Sequence, residues 1–554
     1  MRPRTALRQR RLEPLTPYRK DAWAWELVRH GLAAKYPLLV QGLANGFTLG
    51  IPCIRHTYSP PNHSSINALL HVYNDIVTKE FAAGHYIRLF SHAQLEAKIG
   101  PFQSSLLSLI PKTSKPNKFH AVHNFLHPHD PTPKATSINA HIDSDNFTCM
   151  WGTFTTVALL IACLPSSSQA AVCDVAEAYR TVPVAPSKWP GLVVRLQAHK
   201  LFAVNVCNNF GLASAGGIYR MVADAGVDIF WASRMGLLAK WVNNHIFFRV
   251  LRTHVTSYNK QRAVWCSKIQ VHEARRVWYG GKSLPNSLAK EFDKDCSARI
   301  LDLADTSWAC DEQVFTYAEA DIDQLSNHLG IQWEPSKSVP FGVEVPYLGF
   351  LWNLRTQVVC LLDAKRLRYL ATITEWGQKC THNLLVTQKL YGKLLHAALV
   401  FPAGQVHLTS MEVMLASFNN SPFLPHTPPQ NMPDNLAWWK RQLQHPDASR
   451  PILRPRPLTD YHAFSDTSSG FGVTITVGSR WRAWRLVDRW KSQGWDKQWA
   501  EAVGFELLAI CLCTLACKGK HLTLHGDNES VKKQPYETYF METQRSRSWA
   551  WPIW

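Results

Sequence analysis

The stretch Val-Cys-Asp-Val-Ala-Glu-Ala-Tyr-Arg at 172–180 constrains the fold of this chain more than any other segment. An apolar run at 157–164 precedes it. The pattern predicts a buried strand that ends in a lone carboxylate, Asp174, with the aromatic Tyr179 five positions later. Phosphoryl transfer from a nucleotide requires carboxylates that hold two Mg²⁺ ions about 3.5–4 Å apart, and a strand end suits one of them. The alternative is that Asp174 simply caps a following helix.

The size and charge of the chain indicate several domains and a polyanionic partner. Its 554 residues exceed what one hydrophobic core usually organises. The net charge of +19 favours nucleic acid as a partner over a merely solvated basic surface. Several Trp residues lie beside basic ones, as in Arg-Trp-Arg-Ala-Trp-Arg at 480–485, where stacking on bases and core packing are equally open interpretations.

Cysteine spacing and hydropathy argue against two classes of protein. The 13 Cys include no C-x-x-C pair, so we expect no zinc ribbon. The apolar run at 504–517 is shorter than the roughly 20 residues that cross a bilayer. No apolar segment follows the basic N-terminus, so we expect no signal peptide. The expectation is an intracellular protein without a membrane span, in the cytoplasm, the nucleus or both.

Apolar periodicity and proline content divide the chain into four regions. Residues 1–100 form a partly helical N-terminal extension, and 101–375 have the short apolar runs of a mixed sheet with helices, interrupted by a polar insertion at 251–310. Residues 376–458 combine helices with a Pro-rich linker, and 459–554 form a separate α/β module. Two strands are expected at 345–352 and 357–362. The predicted fold class is α+β.

Further segments follow in a defined order around Asp174. They are Leu109–Thr113, Lys118–Asn124, Phe210–Ala215, Lys240–Phe248, Gly330–Lys337 and Tyr347–Phe350. In this order, over residues 105–370, they resemble the motifs of reverse transcriptases, most closely those of long-terminal-repeat and DIRS-like retrotransposons. The resemblance implies a right-hand polymerase with fingers and palm at 101–375 and a helical thumb or connection at 376–458.

The same resemblance implies a nucleotidyltransferase that copies an RNA template from a DNA primer with deoxynucleoside triphosphates. It also implies roles for single residues: nucleotide contact for Lys112, His120 and Lys337, sugar selection for Tyr179, a template pocket for Phe210 and Gly211, and metal binding for Asp174. His120 stands where the family has an Arg.

The chain departs from the family where two adjacent aspartates are expected. Asn243 and Asn244 occupy those positions, and an amide supplies a neutral oxygen where Mg²⁺ sites of this type use carboxylates. With Asp174 as the one remaining anion, we expect the polymerase activity to be lost or strongly impaired. Each Asp-to-Asn change, and an Arg-to-His change at His120, requires one G-to-A transition, which suggests a degenerate copy of the element.

A second acidic set lies in the C-terminal module. Asp466 follows an aromatic-rich strand pattern, Glu506 lies on a predicted helix, and Asp527 follows a short strand pattern. Three carboxylates on three elements can hold two Mg²⁺ ions around a scissile phosphate, and this set resembles that of ribonuclease H, which cleaves RNA in an RNA–DNA hybrid. Glu501 competes with Glu506 for the helix position, and a solvated set of surface acids is the alternative.

Two other interpretations remain open. The basic charge and the two Asn residues also suit a catalytically inactive protein that only binds nucleic acid. Only 27 residues follow Asp527, fewer than the family needs for its fourth acid, so the ribonuclease H-like domain is expected to be truncated or frameshifted. A non-functional relic that does not fold is therefore the third interpretation. The sequence does not indicate an oligomeric state.

Overall fold

The computed structural model describes residues 16–111, 118–131, 135–149, 151–196, 201–267, 270–272, 275–277, 301, 314–453, 458–493, 496–515 and 521–526. Its α-helices in chain order are α1 Lys20–Arg29, α2 Leu39–Asn45, α3 Ser64–Ala68, α4 Leu70–Ala82, α5 His92–Ile99, α6 Phe154–Cys163, α7 Ala215–Ala232, α8 Val255–Ser267, α9 Glu319–Leu329, α10 Asp363–Trp376, α11 Leu384–Ala397, α12 Thr409–Ser417, α13 Met432–Gln444 and α14 Lys497–Thr514.

The strands are interspersed among these helices. They are β1 Tyr86–Phe90, β2 Ser104–Pro111, β3 Phe119–Asn124, β4 Gln169–Asp174, β5 Val193–Arg195, β6 Phe202–Asn205, β7 Leu238–Trp241, β8 Asn244–Arg249, β9 Gln270–His272, β10 Arg275–Val277, β11 Val339–Gly342, β12 Glu344–Tyr347, β13 Phe350–Asn353, β14 Val358–Leu361, β15 Ser449–Pro451, β16 Leu458–Ser468, β17 Gly472–Val477, β18 Arg480–Arg485 and β19 His521–His525. The mixture of helix and sheet agrees with the predicted α+β class.

The chain divides into two compact units. Unit 1 takes the described residues within Met1–Thr153, Gln169–Arg252 and Leu301–Gly342, and unit 2 takes those within Phe154–Ser168, Thr253–Ile300 and Val343–Trp554. The N-terminal region therefore belongs to the same unit as Asp174. The four domain boundaries derived from the sequence stay a prediction.

Unit 1 contains two sheets. One has the order β1-β6-β5-β2-β3, and the other has the order β11-β4-β8-β7. In the second sheet β4 is central, and Ala170, Ala171 and Val172 are at most 2% exposed. A strand covered on both faces has a continuous apolar sequence, and this burial explains the pattern that leads to Asp174.

Helix α7 is an apolar helix of unit 1. All of its residues from Val222 to Trp231 are buried, so this part of the helix is covered on all sides, and its two acids, Asp224 and Asp228, form ion pairs with Lys240 and Lys35. It packs against β7 and thereby supports the hairpin of β7 and β8.

The longest segment of unit 2 begins with the antiparallel meander β12-β13-β14. Strand β15 pairs with β14 and forms an edge of this sheet. The sequence predicted one strand at 345–352, but two strands, β12 and β13, form there. Leu348 and Gly349 both have positive φ values, of 54° and 85°, which turn the chain back on itself. The strand predicted at 357–362 is confirmed as β14.

The C-terminal part of unit 2 is a small α/β module. Its sheet has the order β18-β17-β16-β19, in which β19 runs parallel to β16 and the other pairs are antiparallel. The helix predicted around 500–517 is α14. Its residues Leu508 and Leu512 pack against Ala463, Val473 and Ile475 of the sheet, so one face of the sheet is covered. Among the described residues, no helix is both long and apolar enough to cross a bilayer.

Candidate functional site

The first candidate site lies at one end of the β11-β4-β8-β7 sheet. Asp174 is the last residue of β4 and lies directly opposite Asn244, the first residue of β8. Trp241 pairs with Asn244, so Val242 and Asn243 form the two-residue turn between β7 and β8. The strand register therefore brings together positions 174, 243 and 244, as the sequence predicted.

The turn itself is strained. Val242 has a φ of 54°, a left-handed conformation in which a β-branched side chain is a genuine outlier. Such strain persists where the surrounding structure imposes it, and it clusters at functional sites. This turn conformation places Asn243 at the tip of the hairpin. There its backbone carbonyl accepts a 2.8 Å hydrogen bond from the Val175 amide.

The carboxylate of Asp174 is held by two donors. Asn243 Nδ2 donates to Asp174 Oδ1 over 2.9 Å, and Lys337 Nζ donates to the same oxygen over 2.8 Å. The helical turn that follows, Ala178–Thr181, has Glu177 as its N-cap residue. The interpretation of Asp174 as a helix cap is therefore wrong, because its side chain is engaged in this cluster.

The polar groups of this cluster do not fit two Mg²⁺ ions. Asp174 supplies one negative charge, and the Lys337 ammonium in contact with it supplies one positive charge. Asn243 directs N–H donors toward the carboxylate, and a metal ion requires acceptors there. Within the described ranges, no group of three or more His, Cys, Asp or Glu side chains is placed to hold a metal ion.

A buried ion pair joins β7 of the hairpin to α7. Lys240 of β7 is 5% exposed, and its Nζ lies 2.7 Å from Asp224 Oδ1 of α7. The same ammonium lies 4.5 Å from the ring centroid of Trp151, a cation–π distance. Arg220 Nε also donates to Asp224, over 3.2 Å. These contacts set the position of β7 relative to α7.

His245 lies beside the turn and is buried. It is 4% exposed, and its Nδ1 lies 3.2 Å from the carbonyl oxygen of Asn243. Burial, reinforced by the charge of Lys240, lowers the pKa of His245 to about 3. The imidazole is therefore uncharged at neutral pH and adds no positive charge to the Asp174 cluster.

The predicted sugar-selecting residue lies in an aromatic group. The Tyr179 ring meets Phe210 edge-to-face at 4.4 Å and Tyr219 at 5.4 Å between centroids. Phe210 is 61% exposed, whereas burial raises the pKa of Tyr179. The structure thus brings Tyr179 and Phe210 together, although their roles with a nucleotide and a template stay predictions.

Position 211 requires a glycine, both because of its backbone conformation and because the His123 carbonyl oxygen lies close to it. Its φ is +100°, and a Cβ at this position would lie 2.7 Å from the carbonyl oxygen of His123. The loop is further tied down because Asn139 Nδ2 donates to the Gly211 carbonyl over 2.8 Å. A side chain at 211 would displace the loop that carries Phe210.

A buried network behind Tyr179 was not predicted from the sequence. The Arg180 guanidinium donates to Asn205 Oδ1 over 2.8 Å, and also to Asn209 and Glu80. Burial alone would raise the pKa of Glu80, but the hydrogen bond from His85 and the charge of Arg180 lower it to about 2. The network ties the loop before Phe210 to α4. In the sequence, the only sign of this network is a charged residue, Arg180, within a largely apolar segment. Its partners lie far away along the chain, so residue spacing does not identify them.

The remaining predicted nucleotide contacts have different outcomes. Lys337 lies at the Asp174 cluster, in contact with the carboxylate. His120 is exposed on β3, opposite Ile110 of β2, and its role stays a prediction. Lys112 lies outside the described residues.

The second candidate site lies in the α/β module of unit 2. Asp466 belongs to β16, on the face of the sheet that is opposite the buried Ser465 and Thr467. A Cβ at Gly526 would lie 3.4 Å from the Ser465 carbonyl oxygen and 2.4 Å from the Phe505 ring. Ser465 and Phe505, the sequence neighbours of the two acids, therefore meet at the end of β19, but Asp466 itself lies on the sheet face away from α14 and is not brought next to Glu506. Asp527 itself lies outside the described residues.

The two candidate helix acids have opposite environments. Glu506 is exposed, whereas Glu501 is fully buried and its Oε1 lies 3.7 Å from Lys497 Nζ. Glu501 shares the sheet-facing side of α14 with Gly504 and Leu508, so it belongs to the packing interface of the helix. Glu506 has the solvent access that a metal ligand for a large substrate needs.

Comparisons with known proteins give a remote structural likeness. No protein-family model matches the chain, and no curated protein sequence matches it. A structure of the foamy viral protease–reverse transcriptase with an RNA/DNA hybrid is similar at a TM-score of 0.45 and 10% identity, covering 93% of this chain and 59% of that one. Two complexes of the same viral protein with double-stranded DNA have TM-scores of 0.41 and 0.43, at 11% and 10% identity. They cover 88% and 87% of this chain, and 67% and 78% of theirs.

Proposed function

We propose that this chain is a retroelement reverse transcriptase–ribonuclease H protein whose polymerase site no longer supports metal-dependent DNA synthesis. One observation carries the proposal. Asp174 faces Asn243 and Asn244 across an antiparallel register at a strained hairpin, and Lys337 neutralises it. This arrangement supports the proposal because the resemblance to reverse transcriptases implies carboxylates at all three positions, and two of them are amides here.

The proposed loss follows from electrostatics. Two dications beside a single carboxylate, itself in contact with an ammonium group, would face uncompensated repulsion. Stabilisation of the charge that develops in the transition state usually contributes more to the rate than any other effect. We therefore expect the extension rate of this chain to fall by several orders of magnitude below that of a restored site.

Ribonuclease H-like cleavage is the second activity of the proposal. Asp466 and Glu506 are both exposed, and their sequence neighbours Ser465 and Phe505 lie beside Gly526. Asp466 lies on the sheet face away from α14, so sharing a metal ion with Glu506 requires a local rearrangement of β16. Together with Asp527 they would hold Mg²⁺, which would polarise the scissile phosphate of an RNA–DNA hybrid. Asp466 and Glu506 would orient the RNA strand through that charge.

Primer extension tests the polymerase part. The chain and the variant Asn243→Asp/Asn244→Asp are incubated with a DNA primer on an RNA template, deoxynucleoside triphosphates and Mg²⁺. We expect extension by the variant alone. Extension by both proteins would refute the argument that two amides disable the site, and a cooperative thermal melt of both shows that each is folded.

A protein that binds nucleic acid without catalysis is the second candidate function. The Lys337–Asp174 pair favours it, because a neutralised cluster repels a phosphate backbone less than three carboxylates would. The net charge of +19 supplies the long-range attraction. In EDTA such a protein retards a primer–template duplex in a gel. If neither the chain nor the Asp variant extends the primer while both retard it, this function replaces the first.

A further inference from the structure

The two tryptophans of the basic segment at 480–485 have different environments in the structure. The segment forms strand β18, in which Trp484 packs against the core under α14. Trp481 is 73% exposed. Core packing therefore explains Trp484 and leaves the aromatic ring of Trp481 exposed to solvent.

The strand is also an edge of its sheet. Among the residues that the structure describes, β18 pairs with β17 alone. Its three arginines, Arg480, Arg482 and Arg485, are all exposed. The nearest acid in the sequence is Asp488, so the strand itself carries three positive charges and no negative one.

The register places an aromatic and a cation on the same face. Trp484 pairs with the buried Val473, so the alternate residues Trp481 and Arg485 lie on the side of the sheet away from α14. They are four residues apart, or about 14 Å at the usual rise of a strand. Thr476, the partner of Trp481, pairs in turn with Phe464, which is 45% exposed. The open face therefore continues with aromatic surface.

A second copy of the chain is a poor occupant for this edge. Antiparallel pairing of β18 with another β18 would bring arginines of one copy opposite arginines of the other, and like charges opposite each other destabilise a sheet. A polyanion with planar groups matches both the charge and the exposed indole. Duplex base faces are covered by their stacked neighbours, so only an unpaired strand can offer them to Trp481.

We propose that β18 binds single-stranded nucleic acid, with a base stacked on Trp481 and a phosphate held by Arg485 on the same face of the strand, whereas Arg480 and Arg482 lie on the face toward α14 and add only to the local positive charge. Asp466 lies on the same open face, opposite Thr474, which pairs with Ala483 between Trp481 and Arg485, so this surface adjoins the second acidic site and is distinct from the Asp174 cluster. It needs no metal ion and no catalysis, so it goes beyond the proposed function and can be tested in EDTA.

The test measures the affinity of the full chain for a fluorescein-labelled 20-nucleotide single strand by anisotropy. Trp481→Ala is expected to weaken binding about fivefold or more, the usual effect of removing one stacking aromatic. Trp481→Phe is expected to retain most of the affinity. An abasic strand should bind the chain and Trp481→Ala equally, because it has no base to stack. Phe423→Ala, at a 94% exposed aromatic outside this sheet, is the matched control and should bind as the unaltered chain does.

The arginines are tested by salt dependence. Arg485→Ala should reduce the slope of log affinity against log salt by about 0.7, the contribution of one phosphate contact on a single strand, whereas Arg482→Ala, on the opposite face of β18, should have a smaller effect. The exposed Arg355→Ala is the control and should leave the slope unchanged. The proposal is overturned if folded Trp481→Ala binds as tightly as the unaltered chain. It is also overturned if this substitution converts a dimer to a monomer with unchanged affinity, which would assign the strand to an interface between copies.

Discussion

Asn243 Nδ2 donates a 2.9 Å hydrogen bond to Asp174 Oδ1, so an amide occupies the position from which a second carboxylate would repel Asp174. The contact is attractive as it stands and would become repulsive if both residues were acids without a cation between them. The hairpin therefore needs no cation to offset repulsion between these two side chains, and in the proposed function the same amide is the reason for the expected loss of catalysis.

The loop that carries Phe210 should be sensitive to a single methyl group. Gly211→Ala forces a Cβ at a φ of +100° to within 2.7 Å of the His123 carbonyl oxygen. We expect it to lower the free energy of unfolding by more than about 1 kcal/mol. Gly392→Ala is the matched control: the glycine is in α11 with no atom within 4 Å of the new Cβ, so stability should rise by up to about 1 kcal/mol. Denaturant unfolding measures both, and equal effects would contradict the role of Gly211.

The buried Arg180 network should dominate the stability of its region. Arg180→Met leaves the Glu80 carboxylate without its guanidinium partner, and loss of one partner of a buried pair costs about 3–5 kcal/mol. Arg355→Met, at an exposed position, should change stability by less than about 0.5 kcal/mol. Thermal unfolding of the two variants compares them. Equal melting temperatures would show that the network contributes nothing.

Local sequence patterns predicted the elements that are governed by local burial. The strand that ends at Asp174, the α14 helix and β14 were all predictable because burial imposes a simple apolar pattern. The apolar run at 157–164 is not part of that strand, since it forms α6. The turn at Leu348 and Gly349 was not, because both flanking strands are apolar and the apolar pattern continues through the turn.

Contacts between distant residues limited the site prediction. The sequence identified positions 174, 243 and 244 as a group, and the β4–β8 register joins them. The contact of Lys337 with Asp174 joins residues 163 positions apart, and Arg180 reaches Glu80 over 100 positions. Neither pairing leaves a local pattern, since each depends on how the sheets and helices of unit 1 pack.

Acidification should destabilise unit 1 partly through His245. Its folded-state pKa is lowered to about 3, whereas the unfolded chain has the ordinary value near 6.5. The unfolded state therefore binds the proton first, so this stability is present above about pH 6.5 and is lost as the pH falls toward 3. At pH 5 the loss is about 2 kcal/mol. His245→Gln should lose less stability than the unaltered chain between pH 7 and pH 5, and parallel pH profiles would contradict the assignment.

Substitutions of the two glutamates of α14 should have different effects, one on stability and the other on cleavage. Glu501→Ala removes a fully buried side chain and should lower the free energy of unfolding by about 1–3 kcal/mol. Glu506→Ala changes an exposed position and should leave the melt within about 0.5 kcal/mol, while abolishing Mg²⁺-dependent cleavage of a labelled RNA–DNA hybrid. If Glu506→Ala cleaves normally, Glu506 is not a member of the acidic set.

The most direct measurement of the central claim is the rate of Mg²⁺-dependent primer extension by the Asn243→Asp/Asn244→Asp variant. The unaltered chain and the variant with Asp174→Asn added serve as controls, and each should melt cooperatively. We expect extension by the double Asp variant at least about a thousandfold faster than by either control. Extension by the unaltered chain at a comparable rate would contradict the claim that Asn243 and Asn244 disable the polymerase site.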